Sequence, residues 1–197
     1  MSAALQDWPE DLRQFLLAFD HVLNRGSRGV RALRLACVEL AHRLPHDGYE
    51  PKPVTHLGLA VAEGELSLEA AWEQCWNYPG NWRIANTVLS VDADLAKNLR
   101  KTIWLDRLDL QDGVIESLRC IVGNPFHPIA FDPRWRTETA VALAAGIYDL
   151  RAFDRMPILA DALEEAGCDH PDVLAHCRGP GPHARGCWVV DGMLGKE

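Results

Sequence analysis

Apolar residues return along this chain at steps of three and four, the period of one face of an α-helix, and almost nowhere at steps of two. Leu12, Phe15, Leu16, Phe19, Val22 and Leu23 form a first stripe. After Gly26 and Gly29, Val30, Leu33, Cys37, Leu40, Ala41 and Leu44 form a second, with Arg28, Arg31 and Arg34 spiralling away from it toward water. The stretch Pro45 to Pro53 holds three prolines and an Asp-Gly pair, which oppose helix and central strand alike and predict a loop. Helix is expected to resume near Thr55. Ser67 is the expected N-cap of a helix over Leu68 to Tyr78 whose Ala71, Trp72, Cys75 and Trp76 share a face, ended by Pro79 and Gly80.

Helical spacing continues through Trp82 to Leu89 and then, behind Asp92 and Asp94, through Leu95, Leu99 and Ile103. Gln111 to Val122 repeats the pattern with Val114, Ile115, Leu118 and Ile121, and Gly123-Asn-Pro125 marks its end. Pro128 to Phe131 is the single weak strand candidate; without a partner strand it reads as part of an extended, Pro-rich connector around 124–135. Thr137 opens a helix packing Val141, Ala144, Ala145 and Tyr148, and Asp154 is expected to cap the next, with Pro157 in its first turn and Gly167 at its end. Short helices are expected over Pro171 to Cys177 and Gly186 to Leu194. The fold class predicted is all-α: a compact multi-helix bundle with short connections. Its expected parts are an N-terminal helical part, 1–110, and a C-terminal helical module, 111–197, which together could also form one continuous domain.

Composition narrows the function classes. The 197 residues are 48% hydrophobic and 24% charged, an ordinary globular balance. A formal net charge of -8 argues against a general affinity for nucleic acid or an anionic membrane. Arg25, Arg28, Arg31 and Arg34 form the best local basic patch, and nucleic-acid binding through them ranks last among the readings. The start, with Asp7 and Glu10, lacks the basic and apolar runs of a signal peptide, and no stretch approaches the roughly twenty apolar residues that span a bilayer. The expected location is the cytoplasm, where six cysteines remain thiols or metal ligands. Cys37, Cys75 and Cys120 lie in apolar helical patterns and read as small buried hydrophobes.

The chemistry concentrates at the end. Cys168, His170, His176, Cys177, His183 and Cys187 crowd around the turn Arg178-Gly-Pro-Gly-Pro-His183. The spacing Cys168, eight residues, Cys177, five residues, His183, three residues, Cys187 offers tetrahedral zinc four soft or borderline ligands, with His176 or His170 able to replace one. The Cys-x-x-Cys knuckle of most structural zinc sites is missing. A catalytic Cys177 would need His183 or His170 to fold back on it, since His176, its neighbour, points about 100° away on a helix. The turn itself, with Arg178 and Arg185 beside it and Trp188 following, is a candidate for binding an anion, although its prolines remove donors and a rigid joint between two helices is the preferred reading. Asp109 with Asp112 and Glu164 with Glu165 suit solvated faces better than acid/base work, and Trp72, Trp76, Trp82 and Trp104 suit core packing better than an aromatic platform.

The stretches Gly123-Asn-Pro-Phe-His-Pro128, Ala145 to Asp149, Ala152 to Cys168 and His176 to Asp191 together resemble the C-terminal signature of a large uncharacterised family of bacterial proteins. The resemblance covers Leu118 to Glu197 and only loosely the helical segments upstream; the region Trp82 to Asp109 departs from it. The family carries no established activity, so no catalytic residue follows from it. It implies that the Cys/His segment belongs to a recurring module. The expectation is a non-enzymatic protein-interaction or structural module with a structural Cys/His segment and another protein as partner. The alternative is a zinc-binding or thiol-dependent enzyme using Cys168, Cys177, His183 and Cys187.

Overall fold

The computed structural model describes residues 26–43, 52–78, 85, 88–89, 114–124 and 126–196. Eight α-helices and two short 3-10 turns have described bounds, Ala85, Val88 and Leu89 are helical as well, and the fold is all-α. The helices are α1 (Ser27–Arg43), α2 (Lys52–Ala62), α3 (Leu68–Cys75), α4 (Val114–Val122), α5 (Glu138–Leu150), α6 (Met156–Glu165), α7 (Pro171–Arg178) and α8 (Trp188–Leu194). The expected helices over Leu12 to Leu23 and Leu95 to Leu105 lie outside the described residues, as do Trp82, Trp104, Asp109 and Asp112.

Local signals in the chain explain most helix ends. The Ser67 side chain accepts a hydrogen bond from the Ala70 amide and that of Thr137 accepts one from the Ala140 amide, each satisfying an amide left free at a helix start. Gly123 ends α4 at φ 67°, and the Asn124 side chain then takes the Phe126 and His127 amides. Residues 128–132 run as an extended connector with no strand, and Asp132 starts a 3-10 turn over Pro133–Trp135. Some starts differ from expectation; the last helix begins at Trp188 rather than Gly186. Helix α2 begins at Lys52, because Pro53 is tolerated in a first turn whose amides need no partner. Asp154 does not cap α6: it falls inside the 3-10 turn Phe153–Arg155, and α6 follows with no side-chain cap.

Two groups of packed buried side chains can be followed among the described residues, with further buried residues such as Leu33, Cys37, Leu118 and Ile121 outside both. One gathers Val38, Ala41, Val54, Leu57, Ala71, Cys75, Val88 and Leu89 between α1, α2 and α3. The other runs from Cys120 through Ile147, Met156, Leu159, Leu163 and Val173 to Val189 and Met193. Helix α1 packs on α2 and α4, α5 on α6 and α8, and α6 on α7. Fully burying side chains such as Leu33, Leu118 and Ile147 contributes about 1.5–3 kcal/mol each. Trp76, expected on the inner face of α3, is instead the C-cap of that helix and 71% exposed.

The arginines of α1 also depart from the pattern. Arg31 and Arg34 are buried. The flank they occupy is covered by other helices, and Arg31 lies in a network: it donates to Asp191 Oδ2, to the Tyr148 hydroxyl at 2.8 Å and to Glu63 Oε1 at 3.2 Å. The Tyr148 hydroxyl donates to Glu63 Oε1, and Lys196 donates to Glu63 Oε2 at 2.9 Å. Helix α8 thereby joins α1 across 160 residues of sequence.

Candidate metal centre

The two histidines and two cysteines that meet come from four different elements. Cys120 sits near the end of α4, on the side turned toward α7. His176 and Cys177 are neighbours on α7, so their side chains diverge by about 100°: Cys177 enters the core and His176 faces the turn. His183 stands in the connection between α7 and α8, where the Gly181–Pro182 peptide is cis. Cys187 is the N-cap of α8 and makes no capping bond.

One ligand atom from each of Cys120, His176, His183 and Cys187 lies within 4.8 Å of all the others. His176 Nε2 is 3.2 Å from Cys187 Sγ, and His183 Nδ1 is 3.7 Å from Cys120 Sγ. A tetrahedral zinc ion with bonds of 2.0–2.3 Å has ligand-to-ligand edges of about 3.3–3.8 Å. The His183–Cys120 edge falls inside that range and the His176–Cys187 edge just short of it, and all edges lie within 4.8 Å, so small side-chain shifts would complete the tetrahedron. Behind the ring of His183, Nε2 faces the Gly179 carbonyl at 3.4 Å. A hydrogen there fixes the tautomer with Nδ1 as the free donor, which is how outer partners prepare metal-binding histidines.

Electrostatics favour a cation. Burial pushes the Cys187 thiol up, but the Cys120 thiol and the rings of His176 and His183 more than offset this and hold it well below its ordinary value. Cys120 goes the other way, raised by its bond to Cys187 and by burial. His183 is raised: burial opposes its charge, but the Cys187 sulfur and the Gly179 carbonyl favour it. The centre thus holds its negative charge on the Cys187 sulfur, a ligand suited to a borderline-soft divalent ion, and binding one would release the Cys120 proton.

The structure divides the residues singled out in the sequence. His183 and Cys187 enter the centre, as does His176, considered only as a substitute. Cys168 and Cys177 are buried in the core beside it, with their thiols pushed up chiefly by burial. Such thiols are poor nucleophiles, which speaks against catalysis by Cys177. His170 caps α7, its Nδ1 accepting from the Asp172 amide at 3.3 Å. Cys120, which the helical pattern groups with the core hydrophobes, is the fourth donor; the signal for it in the sequence is a cysteine one turn before the Gly123-Asn-Pro helix stop.

The three residues considered for anion binding have other partners. Arg178 pairs with Asp161 at 2.9 Å and Glu164 at 2.6 Å, tying α7 to α6. The Arg185 guanidinium lies 4.7 Å over the Tyr148 ring, its Nε 4.0 Å from Glu63 Oε1. Trp188 packs edge-on against Phe131 and 5.4 Å from the His176 ring, over Gly123, where a Cβ would come within 3.1 Å of Trp188 Cγ. A cleft of about 620 Å³ opens beside the centre, with Cys120, His176, His183 and Trp188 in its wall. None of the described helices is long and apolar enough to cross a membrane. No protein-family model, curated protein or solved structure matches this chain.

Proposed function

We propose that this chain is a non-enzymatic helical module, closed at its C-terminal end by a structural zinc ion, that acts by contacting another protein. The observation that carries this reading is the convergence of Cys120, His176, His183 and Cys187 within 4.8 Å. Two thiolates and two imidazoles are a donor set that zinc favours, and four protein donors fill a tetrahedral ion, leaving no position for a substrate. The ion would then join α4, α7, the turn and α8, locking helix ends. Contact with a protein is the role left to a module whose metal ion has all its positions filled by protein donors. Four cysteines as thiols and two as metal ligands, none in a disulfide, fit the cytoplasm.

Metal content tests the reading. Protein purified without an affinity tag is expected to carry close to one equivalent of zinc by mass spectrometry. Cys120→Ala and His183→Ala should lose it, whereas Cys168→Ala and Cys177→Ala should keep it. Less than about a tenth of an equivalent in the wild-type chain would remove the zinc.

A second reading, a metal-dependent enzyme, draws on the cleft, which brings three of the four donors within reach of a small molecule. Cobalt substitution separates the two. A closed site is expected to give a tetrahedral thiolate spectrum that azide leaves unchanged; a spectrum that shifts on titration with azide would favour the enzyme.

A further inference from the structure

Helix α8 is seven residues long, with Trp188 through Met193 all buried. So short a helix does not hold itself in water, and its position is set by what grips it. Two of those grips come from α1 and flank the metal ligand Cys187. On one side, Gly186 at φ 90° lies so close to α1 that a Cβ there would fall 2.5 Å from Leu35 Cδ1. On the other, Asp191 accepts from Arg31. Arg31 and Leu35 are one turn apart on α1 and form one ridge. Asp191 is one turn beyond Cys187, its amide bonded to the Cys187 carbonyl at 2.8 Å. The segment that offers the sulfur to the metal is therefore the segment that α1 clasps. The far side of the centre, Cys120, stands on α4, which also packs against α1.

We propose that metal binding at the Cys/His centre and docking of α1 onto the C-terminal module are one linked event, transmitted by the segment Gly186 to Asp191. This rests on the zinc reading above. Binding of the ion fixes Cys187 against Cys120, His176 and His183, and with it the places of Gly186 and Asp191, so Leu35 and Arg31 find their partners already set. Linkage is reciprocal: a docked α1 presents Cys187 at the right place and must tighten metal binding by the same factor. Metal supply would then control whether the N-terminal helices are clasped or released, and with them any surface that α1 covers.

The experiment uses the full chain under reducing conditions, with zinc alone as ligand. Hydrogen exchange at the amides of α1 is measured with zinc bound and after chelation, and zinc affinity is measured by competition with a chromophoric chelator for the wild type and for the double variant Arg31→Met, Asp191→Asn. That variant removes both charges of the clasp and no metal donor. Chelation is expected to speed exchange in α1 by about tenfold, and the variant to bind zinc about tenfold more weakly. Zinc bound by the wild type, with α1 exchange unchanged and variant affinity within about twofold, would overturn the linkage and leave the zinc reading standing. A wild-type chain that takes up no zinc would overturn both. Should the variant not fold, exchange in the wild type decides alone.

Discussion

Chelation of zinc is expected to lower the Tm of this protein by about 8–16 °C. A ligand present at about a thousand times its Kd stabilises a fold by about 4 kcal/mol. In a chain of this size each kcal/mol moves the Tm by about 2–4 °C. The loss should stop short of the complete unfolding seen in isolated zinc fingers, because the C-terminal module has its own interior: Ile147, Met156, Leu159, Leu163, Val173 and Val189 are all fully buried. The ion's role is to add one further tie among α4, α7, the turn and α8, whose ends the core, the Arg178 ion pairs and the Arg31 clasp already hold. Cys120→Ser should show the same depressed Tm, and chelator should then change it no further. Scanning calorimetry on both proteins, with and without chelator, checks this; a shift under about 2 °C in the wild type would mean that the hydrophobic core alone holds these ends.

The helical period made the fold legible because nearly all apolar residues obey it, and Ser67 and Thr137 marked helix starts through a bond that reaches only three residues along the chain. Whatever depends on distant residues was not legible. Arg31 and Arg34 lie off the stripe of Leu33, Cys37 and Ala41, and one helix viewed alone assigns them to solvent. Only the packing of α2 and α4 on α1, and a carboxylate 160 residues away, makes the flank an interior. Cys120 hid for the same reason. An apolar helix hides a sulfur well, and the other donors, His176, His183 and Cys187, cluster within a dozen residues while Cys120 stands far upstream. Asp154 failed as a cap although it has the right side chain, because a 3-10 turn intervenes and shifts the helix start beyond it.

The Arg31 network supplies the second large effect. Arg31→Ala leaves Asp191 buried without its cation, and removal of one member of a buried pair typically costs about 3–5 kcal/mol. Measured by urea unfolding at pH 8, the variant should show that loss. At pH 5 the loss should be smaller. Burial pushes the Asp191 carboxyl up to about 6 even with Arg31 beside it, and without Arg31 it goes higher. Asp191 therefore binds its proton more tightly in the folded state than in the unfolded. Its favourable contribution is complete below the unfolded value and is lost as the pH rises through about 6, sooner in the wild type than in the variant, whose uncompensated carboxylate still seeks a proton. Below pH 6 both proteins carry a neutral Asp191 and the gap between them narrows; above it the gap opens by about 1.4 kcal/mol for each pH unit until the variant's own carboxyl ionises. Glu63 contributes less to the comparison. Burial raises its carboxyl, but Tyr148, Lys196 and Arg31 together hold it below its ordinary value, and Tyr148 and Lys196 remain in the variant. Both proteins are compared after chelation, so that the pH dependence of metal binding, which the Arg31 clasp itself influences, does not enter the difference. A gap of equal size at pH 5 and pH 8 would mean that Asp191 escapes to water once Arg31 is gone, and that α8 is free enough at its centre to let it.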